Sequence, residues 1–520
     1  MANGNDPANI AYIIAENGFY YVAYKEKVKV PEIVVSAKGV ANGLSEEYND
    51  GWDFGPDSYD PTSTANPPYT QTTGIMEAYY YGISTLNNIK LLGGLFYIDV
   101  PLEIGSQSTS TNAQMEIKIE GTGYMAGMGG GGTIIQISDN FDVSTNNYMI
   151  QIGIPTTGTV INGIYAYQGS FGNITLYGQS PSGNQVNIGI YINNIYGANI
   201  HNINNSPINS PAQYLIYQKG YASGSGDAPI IQNISSYGCG MHFEPNAECL
   251  YNNISVLFYN NYTLEVGCTG NNGDTGPVMT NVNLWNPDVG NDGAPAITLL
   301  GGAGTTTVIS NIVIHAGYTN IPIIDASSTG SGFFLINGIT LESNFDGPFV
   351  NWGDNTNPYV VIEISGINVP FNSGQPLITN TSGNTTPFTI KMEGILYTSG
   401  VPAFSSNPLA SGQILETNLV MSNGTTNQLS NSTAGTTAGT VDMLLSEWRP
   451  LAKKAIITFS GYENDTTTDQ TIDFPAPFSS YVVITGNSTG LTISASTTGI
   501  TITAPDSTTT YSGIVIVEGY

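Results

Sequence analysis

A short motif returns through the middle of this chain at a near-constant interval, and few folds can accommodate it. An Asn or Gly is followed by Ile or Val, then a polar residue, then an apolar one. The motif reads GNITLYG at 172, QNISSYG at 232, NNISVLF at 252, TNVNLWN at 280 and SNIVIHA at 310. It continues as NGITLES at 337, SGINVPF at 365 and EGILYTS at 393. Its aliphatic anchors are Ile174, Ile234, Ile254, Val282, Ile312, Ile339, Ile367 and Ile395, and from Ile254 onward the spacings are 28, 30, 27, 28 and 28. A looser copy surrounds Ile203. A period near 28 with strand chemistry in every copy, and no helical segment between copies, is the signature of coils in a parallel β-helix.

Strand alternation assigns the faces. Ile174 and Leu176 point inward, whereas Thr175 and Tyr177 point outward. Coils stack about 4.8 Å apart, so equivalent residues form columns. The residue before each anchor is Asn173, Asn233, Asn253, Asn281 and Asn311, then Gly338, Gly366 and Gly394. Asn and Gly tolerate a left-handed corner, and stacked amides can bond along the axis. Three residues after each anchor runs an outward column of Tyr177, Tyr237, Leu257, Trp285, His315, Glu342, Pro370 and Thr398.

The composition agrees with an all-β chain. Charged residues are only 10% of the 520, and Gly, Asn, Ser and Thr, which favour turns and strands over helices, are abundant. The charge balance is 11 basic against 39 acidic residues, a formal net −28, with Arg449 the single arginine. Nucleic-acid binding needs clustered Lys and Arg, so it is excluded as a function class. No apolar run is long enough for a membrane-spanning helix, and the first residues lack the basic, apolar order of a signal peptide. Cys239, Cys249 and Cys268 fit no zinc spacing and read as core thiols. No metal or cofactor is expected. Eleven Asn-x-Ser/Thr sequons, including Asn173, Asn233, Asn253, Asn261, Asn384 and Asn487, give the surface an extracellular look without an export signal. A virion component, assembled in the cytoplasm and exposed after release, reconciles the two; non-Sec secretion, or a mature form with its leader removed, would also do so.

The segments DGWDFGPDSYDP at 50–61, TTGIMEAYYYGIS at 72–84, NIKLLGGLFYIDVPLEI and MEIKIEGTG occur in an order that carries a resemblance. It resembles the opening of pectin-lyase-like right-handed β-helix proteins, notably viral tailspikes. There an Asp-Phe-Gly stretch leads to a capping helix, a Gly-rich turn and a first coil ending in Gly-x-Gly. The matching positions here are Asp53-Phe54-Gly55, a helix near 74–84, Gly93-Gly94 and Gly121–Gly123. GVANGLSEEYNDGWDFGPD is further similar to spike proteins of viruses of hyperthermophilic, acidophilic archaea. The resemblance implies a homotrimer, with a pentameric vertex spike as the alternative.

The expected organisation has five parts. Residues 1–40 form an attachment β-region toward other virion proteins, and 41–135 the capping helix and first coils. Residues 136–400 form the β-helix body, and 401–440, rich in Ser, Thr, Asn and Gly, a linker. Residues 441–520 form an antiparallel β-sandwich, with six short strands between turn residues from KKAIITFSGY to SGIVIVEGY. The fold class is therefore a right-handed parallel β-helix with an N-terminal capping region and a C-terminal sandwich.

For function, Tyr177, Tyr237, Trp285 and His315 are the expected carbohydrate contacts, because aromatic faces stack on sugar rings. The same residue types also line subunit interfaces. Family enzymes act on acidic sugars with Arg or Lys bases, calcium-binding Asp clusters or paired Asp; the coils here have no Arg, no Asp-Asp pair and only Lys90, Lys118, Lys219 and Lys391, which disfavours those activities. A hydrolase acting through two carboxylates about 5–9 Å apart could use Glu342 with Asp346, or Glu244 with Glu248. The leading expectation is a virion spike or tail fibre that recognises a host-surface glycan or glycoprotein, with binding favoured over catalysis. A glycoside hydrolase on a neutral glycan and a structural surface-layer or filament component are the alternatives.

Overall fold

The structure is a computed structural model. It describes the strands Ile10–Glu16 and Phe19–Tyr24, short stretches of 32–58, most of 70–153, 169–220 and 229–398, and the strands and tight turns of 413–519. Two compact units make up the chain: residues 1–217 with 228–234, and residues 218–227 with 235–520. The fold is a right-handed parallel β-helix.

In the first unit, parallel strands stack coil on coil. Ser170–Tyr177 pairs with Asn199–Asn205 on one side, and with Lys118–Glu120 and Thr133–Ile137 on the other. A second sheet runs Leu102–Ile104, Tyr148–Gly153 and Ile188–Asn193. Phe171, Ile174, Leu176, Ile190 and Ile192 are all fully buried, and each such side chain contributes about 1.5–3 kcal/mol.

The expected capping helix is Ile75–Thr85. Its start is tied down locally: the Thr72 hydroxyl accepts from Met76 N and donates to Glu77 Oε2. Gly74 has φ +82, and a Cβ there would lie 2.6 Å from Gly55 N. The Phe-Gly stretch and the helix start therefore touch backbone to backbone. Ile75, Ala78 and Tyr79 are buried against the first strands, while Tyr80 faces outward.

In the second unit the long sheet runs Leu250–Leu257, Thr275–Trp285, Thr306–His315, Gly332–Leu341, Val360–Phe371 and Phe388–Thr398 in parallel register. A second sheet links Gly240–Glu244, Leu264–Val266, Ile297–Leu299, Ile324–Asp325, Val350–Gly353 and Ile378–Asn380. The strand Gln413–Ser422 pairs parallel with Phe388–Thr398, and antiparallel with Thr437–Ser446. This corrects the linker assignment for those residues, which add a strand to the sheet. The six C-terminal strands all form, in two antiparallel sheets. Lys453–Asn464 and Val482–Asn487 flank Tyr511–Gly519, and Gln470–Asp473 and Thr492–Ala495 flank Gly499–Thr503.

The corners bear out the repeat reading. Asn173, Asn202, Asn233, Asn253, Asn281 and Asn311 all have φ between 52 and 60, and Gly338 and Gly366 take the same turn. Asn202, from the loose copy, is a full rung. In the first unit Asn233 Nδ2 donates to Asn202 Oδ1, Asn202 Nδ2 to Asn173 Oδ1, and Asn173 Nδ2 to Glu120 Oε2. In the second, Asn311 Nδ2 donates to Asn281 Oδ1, and Asn281 Nδ2 to Asn252 Oδ1. Replacing Asn281 by Ala removes two rungs and places a Cβ-bearing residue without a local amide at φ +58. The expected cost is about 2 kcal/mol. Gly at 281 should cost less, since it keeps the backbone free. Denaturant unfolding of both variants checks the order.

Ile395 requires a correction. Read as a core anchor, it is 41% exposed, whereas Leu396 is fully buried. The pairing with Val360–Phe371 slips between Ile364 and Ile367, so Ile367 faces Gly394 and Pro370 faces Tyr397. The last coil has no corner residue at this point: alternation runs unbroken through buried Phe388, Ile390, Met392 and Leu396. Gly394 occupies the anchor place because a Cβ there would meet Ile367 O at 2.3 Å.

Candidate functional site

The outward column forms in the second unit. Leu257 faces Trp285, and Trp285 faces His315, in direct register. Glu342 follows in the next coil, and its Oε2 lies 2.5 Å from His315 Nδ1. The register slip then brings Tyr397, not Thr398, beside Pro370. Trp285 is 40% and Tyr397 51% exposed. Four coil steps separate these two rings, about 19 Å along the axis, with the His315–Glu342 pair between them. Tyr397 is the site residue that the sequence reading missed. The signal was available in the unbroken alternation of FTIKMEGILYT, which places Tyr outward.

The chemistry of this column follows from the His315–Glu342 bond. An ionised carboxylate only accepts, so Nδ1 carries the proton and the tautomer is fixed. Nε2 then accepts from a hydroxyl when the ring is neutral and donates when it is cationic. Exposed ring faces with a polar group between them are suited to stacking and hydroxyl bonding along an extended chain.

The remaining expected residues are placed differently. Leu257 is buried, and it interrupts the column before Tyr237, which is half-buried. Tyr177 belongs to the first unit, where its register partner is Gln136. Of the carboxylate pairs, Asp346 lies outside the described residues and Glu248 is exposed. Glu244 Oε2 lies 3.3 Å from His242 Nε2 and 3.9 Å from Lys219 Nζ. Glu265 Oε2 approaches the other ring nitrogen, Nδ1, at 2.6 Å. An imidazole thus fills the space between Glu244 and Glu265.

The sequon asparagines are used structurally. Nδ2 of Asn173, Asn233, Asn384 and Asn487 each donates within the fold, the last two to Gly353 O and Leu491 O. A glycan on those nitrogens would displace these bonds. Asn253 is a corner rung, and Asn261 lies outside the described residues.

In the first unit, Glu120, Ser170 and His201 meet in a cluster that superficially suggests nucleophilic catalysis. Ser170 Oγ is 2.5 Å from Glu120 Oε1 and 3.1 Å from His201 Nε2, which is itself 3.1 Å from the same carboxylate oxygen. A relay needs the acid on one ring nitrogen and the nucleophile on the other, and here Nε2 takes both. Burial pushes the Glu120 carboxyl up, but bonds from His201, Ser170 and Asn173 outweigh it and hold the group below its ordinary range. Glu120 is the carboxylate on which the first asparagine ladder ends. All three cysteines are buried and none is in a disulfide. No cluster of metal-ligating residues and no helix long and apolar enough to cross a membrane occurs among the described residues.

No protein-family model and no curated protein matches the chain. Among solved structures it is similar to the tailspike of Acinetobacter baumannii bacteriophage Fri1, a capsular polysaccharide depolymerase. That match has 10% identity, covers 99% of this chain and 90% of that one, and has a TM-score of 0.33. It is also similar to the A-module of a mannuronan C-5 epimerase of Azotobacter vinelandii, at 12% identity, covering 66% and 94%, with a TM-score of 0.24. No residue role is carried over from either.

Proposed function

We propose that this chain is a virion spike or tail-fibre protein that binds a host-surface glycan or glycoprotein through the outward column Trp285–His315–Glu342–Tyr397. The observation that carries the reading is the pair of exposed rings flanking a tautomer-fixed histidine on one rigid sheet face. A net charge of −28 repels polyanions, so the reading favours a neutral glycan. The tailspike-like opening of the sequence supports a virion role, with a homotrimer as the assembly and residues 1–40 as the attachment to other virion proteins.

The test is incubation with neutral envelope oligosaccharides. Saturable binding without release of new reducing ends is expected. Turnover would make the protein a depolymerase, and open self-assembly without saturable binding would make it a structural component.

A further inference from the structure

The chain contains three histidines, and all three are held by glutamate. Among the described residues there are seven ion-pair contacts, and four of them involve these imidazoles: His201 with Glu120, His242 with Glu244 and with Glu265, and His315 with Glu342. The rest involve Lys90, Lys219 and Lys391. Among the described residues, most ion-pair contacts therefore fall on side chains that are charged only when protonated. Three of these four contacts cross between strands: Lys118–Glu120 to Asn199–Asn205, Gly240–Glu244 to Leu264–Val266, and the end of Thr306–His315 to Glu342 just past Gly332–Leu341. Three of the four contacts therefore tie one strand to another, and the His242–Glu244 contact lies within one strand.

We infer that the Glu244–His242–Glu265 clamp makes the β-helix around it a pH-tuned structure, tightest in mild acid and loosened as pH rises through neutrality. His242 is the centre of the device. It is 6% exposed although it projects from the outer face of its strand. Glu244 on its own strand and Glu265 on the adjacent strand face its two nitrogens, and Lys219 from Tyr214–Lys219 faces Glu244. One cationic ring bridging two carboxylates satisfies all three groups. The neutral ring has a single N–H and leaves one carboxylate facing a lone pair.

The sign follows from both partners. Burial pushes the His242 pKa down, but bonds to Glu244 and Glu265 outweigh it, so the group sits above its ordinary 6.5. Its contribution is fully present below 6.5 and is lost as pH rises through the raised value. Glu120 sits below its ordinary 4.5, so its contribution is present above 4.5 and is lost as pH falls through the lowered value. Both are in force between about 4.5 and 6.5. Global relief of a −28 charge acts in the same direction on acidification, so the test has to separate the two.

With three histidines, a 13C-histidine-labelled protein gives three ring resonances, assignable by single His→Gln variants. His242 should titrate above pH 6.5. The thermal midpoint of the wild type should rise by several degrees from pH 8 to pH 5.5. That rise should shrink in His242→Gln. A His242 titration at or below pH 6.5 overturns the inference. So does a His242→Gln variant with the full wild-type rise, which would assign the effect to global charge alone. If the variants fail to fold, the direction of the wild-type titration steps decides.

Discussion

Gly153→Ala should cost the first unit about 4 kcal/mol or more, enough to abolish a sharp unfolding transition for its coils. Gly153 ends a second-sheet strand at φ +104, and an added Cβ would lie 1.7 Å from Asn193 O. Both partners are backbone of adjacent coils, so neither can rotate aside, and the coil spacing itself would have to open. Asn193 is 1% exposed, and its side-chain amide has no hydrogen-bond partner, so nothing there offsets the movement. Gly123→Ala is the control. It has φ +130 but nothing within 4 Å of a Cβ, and should cost only about 1–2 kcal/mol of backbone strain. Near-equal losses in thermal unfolding would show that backbone strain, not coil spacing, dominates.

Trp285→Ala and Tyr397→Ala should each weaken glycan binding by roughly tenfold to thirtyfold, about 1.4–2 kcal/mol. The double variant should reduce it below detection in a millimolar assay. Both rings are 40–51% exposed, so stability should change by less than about 1 kcal/mol. Tyr359, 82% exposed and off the column, is the control: Tyr359→Ala should bind as the wild type does. His315→Ala should also weaken binding, since it removes the acceptor that Glu342 holds in place. Loss of the oligomer in these variants, with binding by the remaining copies unchanged, would assign the column to a subunit interface instead.

The parts of this fold that were legible in the sequence are those written in local backbone chemistry. Asn at 173, 233, 253, 281 and 311 announced left-handed corners because few other residues adopt them cheaply. The six C-terminal strands followed from apolar periodicity and turn residues, whereas the helix at 75–85 was expected from the resemblance to tailspike openings. The slip at Gly394 was hidden because Ile395 keeps the 28-residue spacing while the missing corner moves the core to Leu396. The second sheet was hidden as well. Its strands are only two to five residues long in the second unit, and the step from Leu264 to Ile297 is longer than the later steps.

For that reason Glu265 was never placed beside His242. Glu244 was read as one of a candidate hydrolase pair with Glu248, and it contacts His242 and Lys219. The serine, glutamate and histidine of the first unit lie far apart in sequence and meet only through coil stacking. Of the candidate site, the Trp285–His315–Glu342 segment followed from the repeat alone. Tyr397 needed the register.

The central claim is that the Trp285–Tyr397 face holds an extended glycan. The most direct measurement is a structure of the assembled protein with a neutral host-envelope oligosaccharide bound. The account predicts sugar rings against Trp285 and Tyr397, with a hydroxyl donating to His315 Nε2. Finding both rings covered by a second copy of the chain, with the oligosaccharide bound elsewhere, would contradict it.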